Sequence, residues 1–250
     1  MSIFNFQLQG YDMMVLGLVA LFIGMAKTGV HGAGMLAVPM LAAVFGGKIS
    51  SGILLPMLIM ADVIGVWYYH RHASWKHLRI LFPWAALGVT LGTWIGGYIN
   101  DDLFRLVMAI IIFISVAIMI WLERGRHRED VPTSRLFGTT MGVAGGFTSM
   151  VGNLAGSVMA LYLLSMRLPK NVFIGTAAWF FLVLNWFKVP FHLFAWHTIT
   201  LDILWLDLLM FPLIALGGYL GIEIVKRIPE KAYRWFIIIM TMVAAVYMVI

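Results

Sequence analysis

Residues 24–39 read Gly-Met-Ala-Lys-Thr-Gly-Val-His-Gly-Ala-Gly-Met-Leu-Ala-Val-Pro, inside an apolar segment that runs from residue 11 to residue 45. A segment of that length suits a bilayer, which a helix of about 20 apolar residues crosses. Yet Gly29, Gly32 and Gly34 argue against one continuous lipid-facing helix, because each costs ~1 kcal/mol relative to Ala. Unwound backbone at membrane depth is tolerated only where protein or a water-filled cavity surrounds it. The break is therefore a candidate binding site. A second apolar segment, residues 136–165, breaks in the same way at Gly152-Asn153-Leu154-Ala155-Gly156.

Outward from these two breaks the chain is a succession of spans. Residues 51–69, 80–99, 106–122, 171–190, 203–225 and 235–250 each read as a membrane-crossing helix. Hydrophobic residues make up 62% of the 250 and charged residues only 11%, against roughly 25% charged in an ordinary soluble domain. A water-soluble fold is excluded. The net charge of +6 resides in loops between apolar runs, where it sets orientation, so it is no nucleic-acid footprint. The absence of Cys removes disulfides, thiolate metal sites and Cys nucleophiles. No basic residue precedes Lys27, so the first apolar run lacks the n-region of a cleaved leader and is expected to be retained.

The basic loops decide how the second broken segment runs. If both broken segments cross, 7 basic loop residues (Arg71, Lys76, Arg79, Arg124, Arg126, Arg128, Arg135) face 8 on the other side, which is no bias. If the second segment turns back, 13 collect on one side and only Lys48 and Arg105 remain opposite. The positive-inside rule selects the second arrangement. The first segment has no preceding charge to register a side, and an internal repeat supplies its geometry instead.

Residues 82–119 match residues 211–248 at an offset of 129, pairing Phe82-Pro83 with Phe211-Pro212 and Ala86-Leu87-Gly88 with Ala215-Leu216-Gly217. The broken segments align at an offset of 122, which sets Gly24 on Gly146, Ala33-Gly34 on Ala155-Gly156 and His31 on Asn153. The smaller offset implies extra residues in the later half, around His197 to Asp207. Equivalent loops carry opposite charge bias, the signature of an inverted repeat. The expectation is thus one all-α membrane domain over 1–250, with a first repeat at 1–122, a basic cytoplasmic linker at 123–135 and an inverted second repeat at 136–250. It has six spanning helices, two re-entrant helical hairpins and both termini outside.

A hairpin tip inside the bilayer starts a return helix there, whose first turn presents unpaired N–H groups and the positive end of its dipole. Anions bind at such ends. Return helices are expected near Gly32 to Gly34 and near Ala155 to Ser157, so two tips would aim at one central ligand. The candidate substrate-binding residues are Lys27, His31, Gly32, Gly34, Ser149, Gly152, Asn153, Gly156 and Ser157. Lys27 is the only full charge among them, and its plainer role is to pair internally. Asp62, midway along its span, is either a proton-coupling carboxyl or a structural partner of Lys27. Lys188 and Glu223 read as side chains that snorkel from helix ends. Gly88, Gly92 and Gly96, and likewise Gly217 and Gly221, have the spacing of close helix packing. His70, His72 and His77 beside Trp75 read as an interfacial anchor more readily than as a metal site. No HExxH, Walker or GxSxG pattern occurs, so no catalytic residue, metal or cofactor is assigned.

Gly29 through Pro39, Gly145 through Gly156 and the repeated Phe-Pro-x-x-Ala-Leu-Gly-x-x-Leu-Gly stretches resemble the sulfite exporter TauE/SafE family, from about residue 12 to the end. The second tip departs from that family's pattern at Leu154 and Ala155, where more glycine is common. The resemblance implies a permease of the bacterial inner membrane that exports sulfite or a small organosulfonate such as sulfoacetate, driven by an ion gradient. The residues themselves favour a secondary transporter of a small anion working by alternating access, with a coupled proton or other ion. Three rivals stay open at this stage: a passive anion channel, a membrane-embedded enzyme using His31 and Asp62 as acid and base, and a subunit of a larger membrane complex.

Overall fold

The computed structural model describes residues 2–3, 6–7, 10–30, 33–98, 100, 103, 110, 113–114, 117 and 135–249. The span expected at 106–122 lies outside the described residues for most of its length, as do residues 123–134 of the linker and the tip residues His31 and Gly32. A two-residue ladder pairs Ser2–Ile3 with Phe6–Gln7, and the other elements among the described residues are helices. The helices are α1 (Gly10–Lys27), α2 (Ala33–Phe45), α3 (Gly47–Tyr69), α4 (Trp75–Gly96), α5 (Arg135–Gly152), α6 (Ala155–Ser165), α7 (Lys170–Phe194), α8 (Leu201–Arg227) and α9 (Glu230–Val249).

Among the described residues, five helical stretches are long and apolar enough to cross a membrane: Gly10–Lys27, Ile49–His72, Trp75–Gly96, Lys170–Phe194 and Leu201–Arg227. Their outward side chains include exposed Trp67, Trp94, Phe194, Leu201 and Trp205, a surface that suits lipid and not water. This is a multi-pass integral membrane protein. Pro56, Pro83, Pro190 and Pro212 sit inside helices, as bilayer helices permit. Pro190 matters most, because α7 continues past it to Phe194 and does not stop there as the apolar run suggests. Likewise α8 begins at Leu201, capped by the Thr200 hydroxyl, which accepts from the Ile203 N–H at 3.3 Å. Asp207 therefore lies within a helix, in agreement with the span expected at 203–225.

Both glycine-rich breaks terminate a helix as their sequences require. At the first, Gly29 has φ +126°, the Gly29 N–H reaches the Ala26 carbonyl and the Val30 N–H reaches that of Met25, a Schellman-type closure. The Gly29 carbonyl accepts from the Tyr233 hydroxyl of α9 at 2.8 Å, which anchors the turn. At the second, Asn153 takes the left-handed position at φ 56° and its N–H bonds to the Ser149 carbonyl at 2.9 Å. Asn is the residue besides Gly that enters this region with least strain. After each break the chain folds back: α2 packs on α1, with Gly34 against the Ala26 methyl, and α6 packs on α5. Although α1 is an arm of an expected re-entrant hairpin, its 18 residues make it long enough to traverse most of a bilayer.

Two close parallel pairs surround these folded-back segments. Along α1 and α8, Gly17 meets Leu213, Leu21 meets Gly217 and Met25 meets Gly221. Along α4 and α5, Leu81 meets Gly142, Ala85 meets Gly146 and Val143 meets Gly88. A Cβ on Gly24 would overlap the Ile214 carbonyl oxygen, and one on Gly146 would overlap that of Ala85. These contacts repeat at the offsets already noted, since Gly24 and Gly146 differ by 122 and Ile214 and Ala85 by 129. Small residues here let the backbones touch, which is how helices associate without a hydrophobic drive. Between the two pairs, α3 and α7 pack on each other through the centre.

Candidate functional site

The central contact of α3 and α7 is polar. Asp62 and Asn185, themselves 123 residues apart, meet there: the Asn185 Nδ2 donates to the Asp62 Oδ2 at 2.7 Å. The Lys27 Nζ lies 2.9 Å from the Asp62 Oδ1, with Asp62 fully buried. The same ammonium sits 3.9 Å above the centroid of the Phe181 ring, a cation–π contact from α7. A Cβ on Gly65 would crowd the Lys27 carbonyl, so α3 holds the end of α1 closely enough for the ion pair to form.

The other ammonium, Lys188, is fully buried and does not snorkel, which corrects its sequence assignment. It lies nearly two turns before the true end of α7 and points inward. Its Nζ contacts the Ser149 carbonyl at 3.0 Å, the Ser149 Oγ at 3.1 Å, the Asn185 Oδ1 at 3.1 Å and the Asn153 Oδ1 at 2.5 Å. Three of these partners, a backbone carbonyl and two amide oxygens, can only accept. They occupy all three N–H donors of an ammonium, one more than a neutral amine offers. Asn153 is in turn fixed by donating to the Ser51 carbonyl at 3.3 Å and the Ser51 Oγ at 3.2 Å.

A small cavity of about 40 Å³ adjoins this network, lined by Ala26, Lys27, Gly34, Leu58, Asn153, Gly156 and Phe181. Both breaks contribute to it. Gly34 and Gly156 are the second residues of α2 and α6 and occupy equivalent positions at the offset of 122. The first N–H groups of a helix have no partner within it, and Leu154 at the start of α6 provides no side-chain cap. The volume is about three times the ~10–15 Å³ that one water requires.

Of the residues singled out in sequence, Lys27, Gly34, Asn153 and Gly156 line this cavity. Ser149 stands behind it as a partner of Lys188. Gly152 is buried at the end of α5 away from the lining, and the Ser157 hydroxyl is turned to its own helix, donating to the Leu154 carbonyl at 3.3 Å. Asn185 and Lys188 were missed. An isolated Asn in an apolar run carries no pattern, and Pro190 disguised the depth of Lys188. Glu223 pairs with Lys226 at 2.6 Å on the surface, as a helix-end side chain does. His77 is tied to the Tyr162 hydroxyl of α6 at 2.8 Å, and His70 Nδ1 lies 3.0 Å from the Trp67 carbonyl.

The chain has also been compared with known proteins. A family profile described as Sulfite exporter TauE/SafE matches residues 15–248. Neither a curated protein nor a solved structure matches.

Proposed function

Because the chain belongs to the sulfite exporter TauE/SafE family, we propose that it carries a small sulfur oxyanion across the bacterial inner membrane, with its site where the two broken segments meet. The observation that carries this reading is a charge imbalance. Lys27 and Lys188 are two ammoniums, and Asp62 is the single carboxylate among their partners in the described residues. Burying a charge without a counter-charge is costly, so the surplus positive charge favours an anion nearby. Gly34 and Gly156 add helix-start N–H groups on the cavity wall, the backbone chemistry that anions seek.

The cavity is sized for a compact oxyanion such as sulfite, and an organosulfonate would require the two tips to part. The packing that repeats at the sequence offsets supports an inverted repeat of 1–122 and 136–250. It also supports hairpins that enter from opposite sides, and alternating access by rocking about the central site. Asp62 is the proposed coupling group. An anion arriving at Lys27 competes with Asp62 for the ammonium, and a carboxylate that loses its cation at that depth is stabilised by binding a proton.

Counterflow of labelled sulfite in proteoliposomes tests the substrate class, with sulfoacetate, sulfate, carboxylates and cations as competitors. Saturable exchange with competition by anions alone is expected. Competition by cations, or no exchange of any anion by folded protein, rules the assignment out, and flux without counterflow would indicate a channel. Topology has its own test in this Cys-free chain. Single cysteines at positions 48 and 168 are expected to react with an impermeant thiol reagent from opposite sides, and reaction from one side would overturn the inverted arrangement.

A further inference from the structure

A second and larger cavity opens between α3, α7 and α8, away from the central network. Its volume is about 470 Å³, within the ~300–1,000 Å³ typical of small-molecule pockets. Pro56, Met60, Trp186, Leu204 and Trp205 form apolar walls, and Asp207 is the one ionisable residue among the described residues of the lining. Asp207 is fully buried, and neither of its carboxyl oxygens has a hydrogen-bond partner among the described residues. The contrast with Asp62, held by both Lys27 and Asn185, is complete.

Helix packing alone does not explain the residue. At the offset of 129 the equivalent of Asp207 is Leu78, which is also fully buried, so an apolar side chain fills that position in the other half. An isolated ionised carboxyl is costly in an apolar setting, and either a proton or a cation bound beside it offsets that cost.

We propose that this cavity binds an amphiphilic amine, with its apolar body between Trp186 and Trp205 and its ammonium on the Asp207 carboxylate, whose oxygens the cavity wall covers until the ligand enters. The carboxylate sets the sign of the ligand, and aromatic walls add cation–π attraction. Among the described residues no Lys, Arg or His lines the cavity, so none of them would hold the phosphate of a phospholipid headgroup. A bare metal cation is equally ill served, because hard cations take several oxygen ligands and the wall offers one carboxyl. Leu201, Leu204 and Leu208 on the rim are exposed at the lipid-facing surface, which gives an apolar ligand a sideways entrance. This site is independent of the identity of the transported anion.

The test is binding of labelled 3-phenylpropylamine to the full-length protein in lipid nanodiscs at neutral pH, with 3-phenylpropan-1-ol and 3-phenylpropionate as competitors. Saturable binding is expected, with the amine preferred over the alcohol tenfold or more and the carboxylate excluded. Asp207→Asn is expected to reduce the affinity for the amine to that for the alcohol. Leu204→Trp, which narrows the cavity and leaves Asp207 in place, is expected to weaken both ligands tenfold or more. The proposal is overturned if no saturable binding is seen, if the amine has no preference over the alcohol, or if that preference survives Asp207→Asn. Should Asp207→Asn fail to fold, undiminished amine binding by Leu204→Trp overturns it.

Discussion

Lys188→Met is expected to lower anion affinity by about 30-fold to several thousand-fold, the range that follows from the ~2–5 kcal/mol cost of removing one partner of a buried charge interaction. Methionine retains the length and apolar character of the lysine stem, so the change is chiefly one of charge. It also leaves the Asn153 and Asn185 side-chain oxygens without the donor they have here, each a loss of about 1–3 kcal/mol, while the Ser149 carbonyl keeps the Asn153 N–H. Removal of a buried ammonium offsets part of that loss. The protein should therefore remain foldable while losing the surplus positive charge. The measurement is the concentration dependence of sulfite counterflow, with thermal unfolding in detergent as the check on folding. Wild-type affinity in folded Lys188→Met would mean that the anion does not depend on this charge. Lys188→Arg separates charge from shape: it keeps the former, but the planar guanidinium cannot reproduce the three-way contact.

The second large effect concerns the Lys27–Asp62 pair. Among the described residues, Lys27→Met leaves a fully buried carboxylate with only the Asn185 amide, and Asp62→Leu leaves an ammonium with only the Phe181 ring. Each single change is expected to destabilise the protein by about 3–5 kcal/mol. The double variant Lys27→Met/Asp62→Leu is expected to recover most of that loss, because it removes both charges together. Thermal unfolding of the four proteins completes the cycle, and strictly additive losses would show that the pair is not coupled. This double variant is also the informative one for transport. Loss of function in Lys27→Met alone confuses instability with anion binding, whereas loss in a stable double variant points to a direct role for these two groups.

The parts legible in sequence were those written in glycine and in periodic apolar runs. Gly29 and Asn153 could be found because few residues end a helix with positive φ, and the packing glycines because their spacing repeats at constant offsets. Four of the nine proposed binding residues line the central cavity for that reason. Lys188 was not legible. Proline after an apolar run ordinarily marks a helix end, and α7 passes through Pro190 because a bilayer helix has neighbours to satisfy the freed backbone. Asn185 could not be singled out either, since its role exists only where α3 and α7 cross. The span expected at 203–225 already contains Asp207, but that α8 starts at Leu201 rests on the Thr200 cap, a modest signal. Pairwise chemistry between distant helices is the class of fact that local pattern does not contain.

The glycine contact between α1 and α8 has a consequence for biosynthesis. The 200 residues that separate Lys27 from Arg227 take about 10–40 s to be made at roughly 5–20 residues per second. Until α8 arrives, the groove on α1 at Gly24 has no backbone to receive it. The other pair meets in the opposite order, since α4 is already in place when α5 emerges. The two pairs are alike when finished but unequal in history: the later half of the chain docks as it is born, and the first helix waits for almost the last.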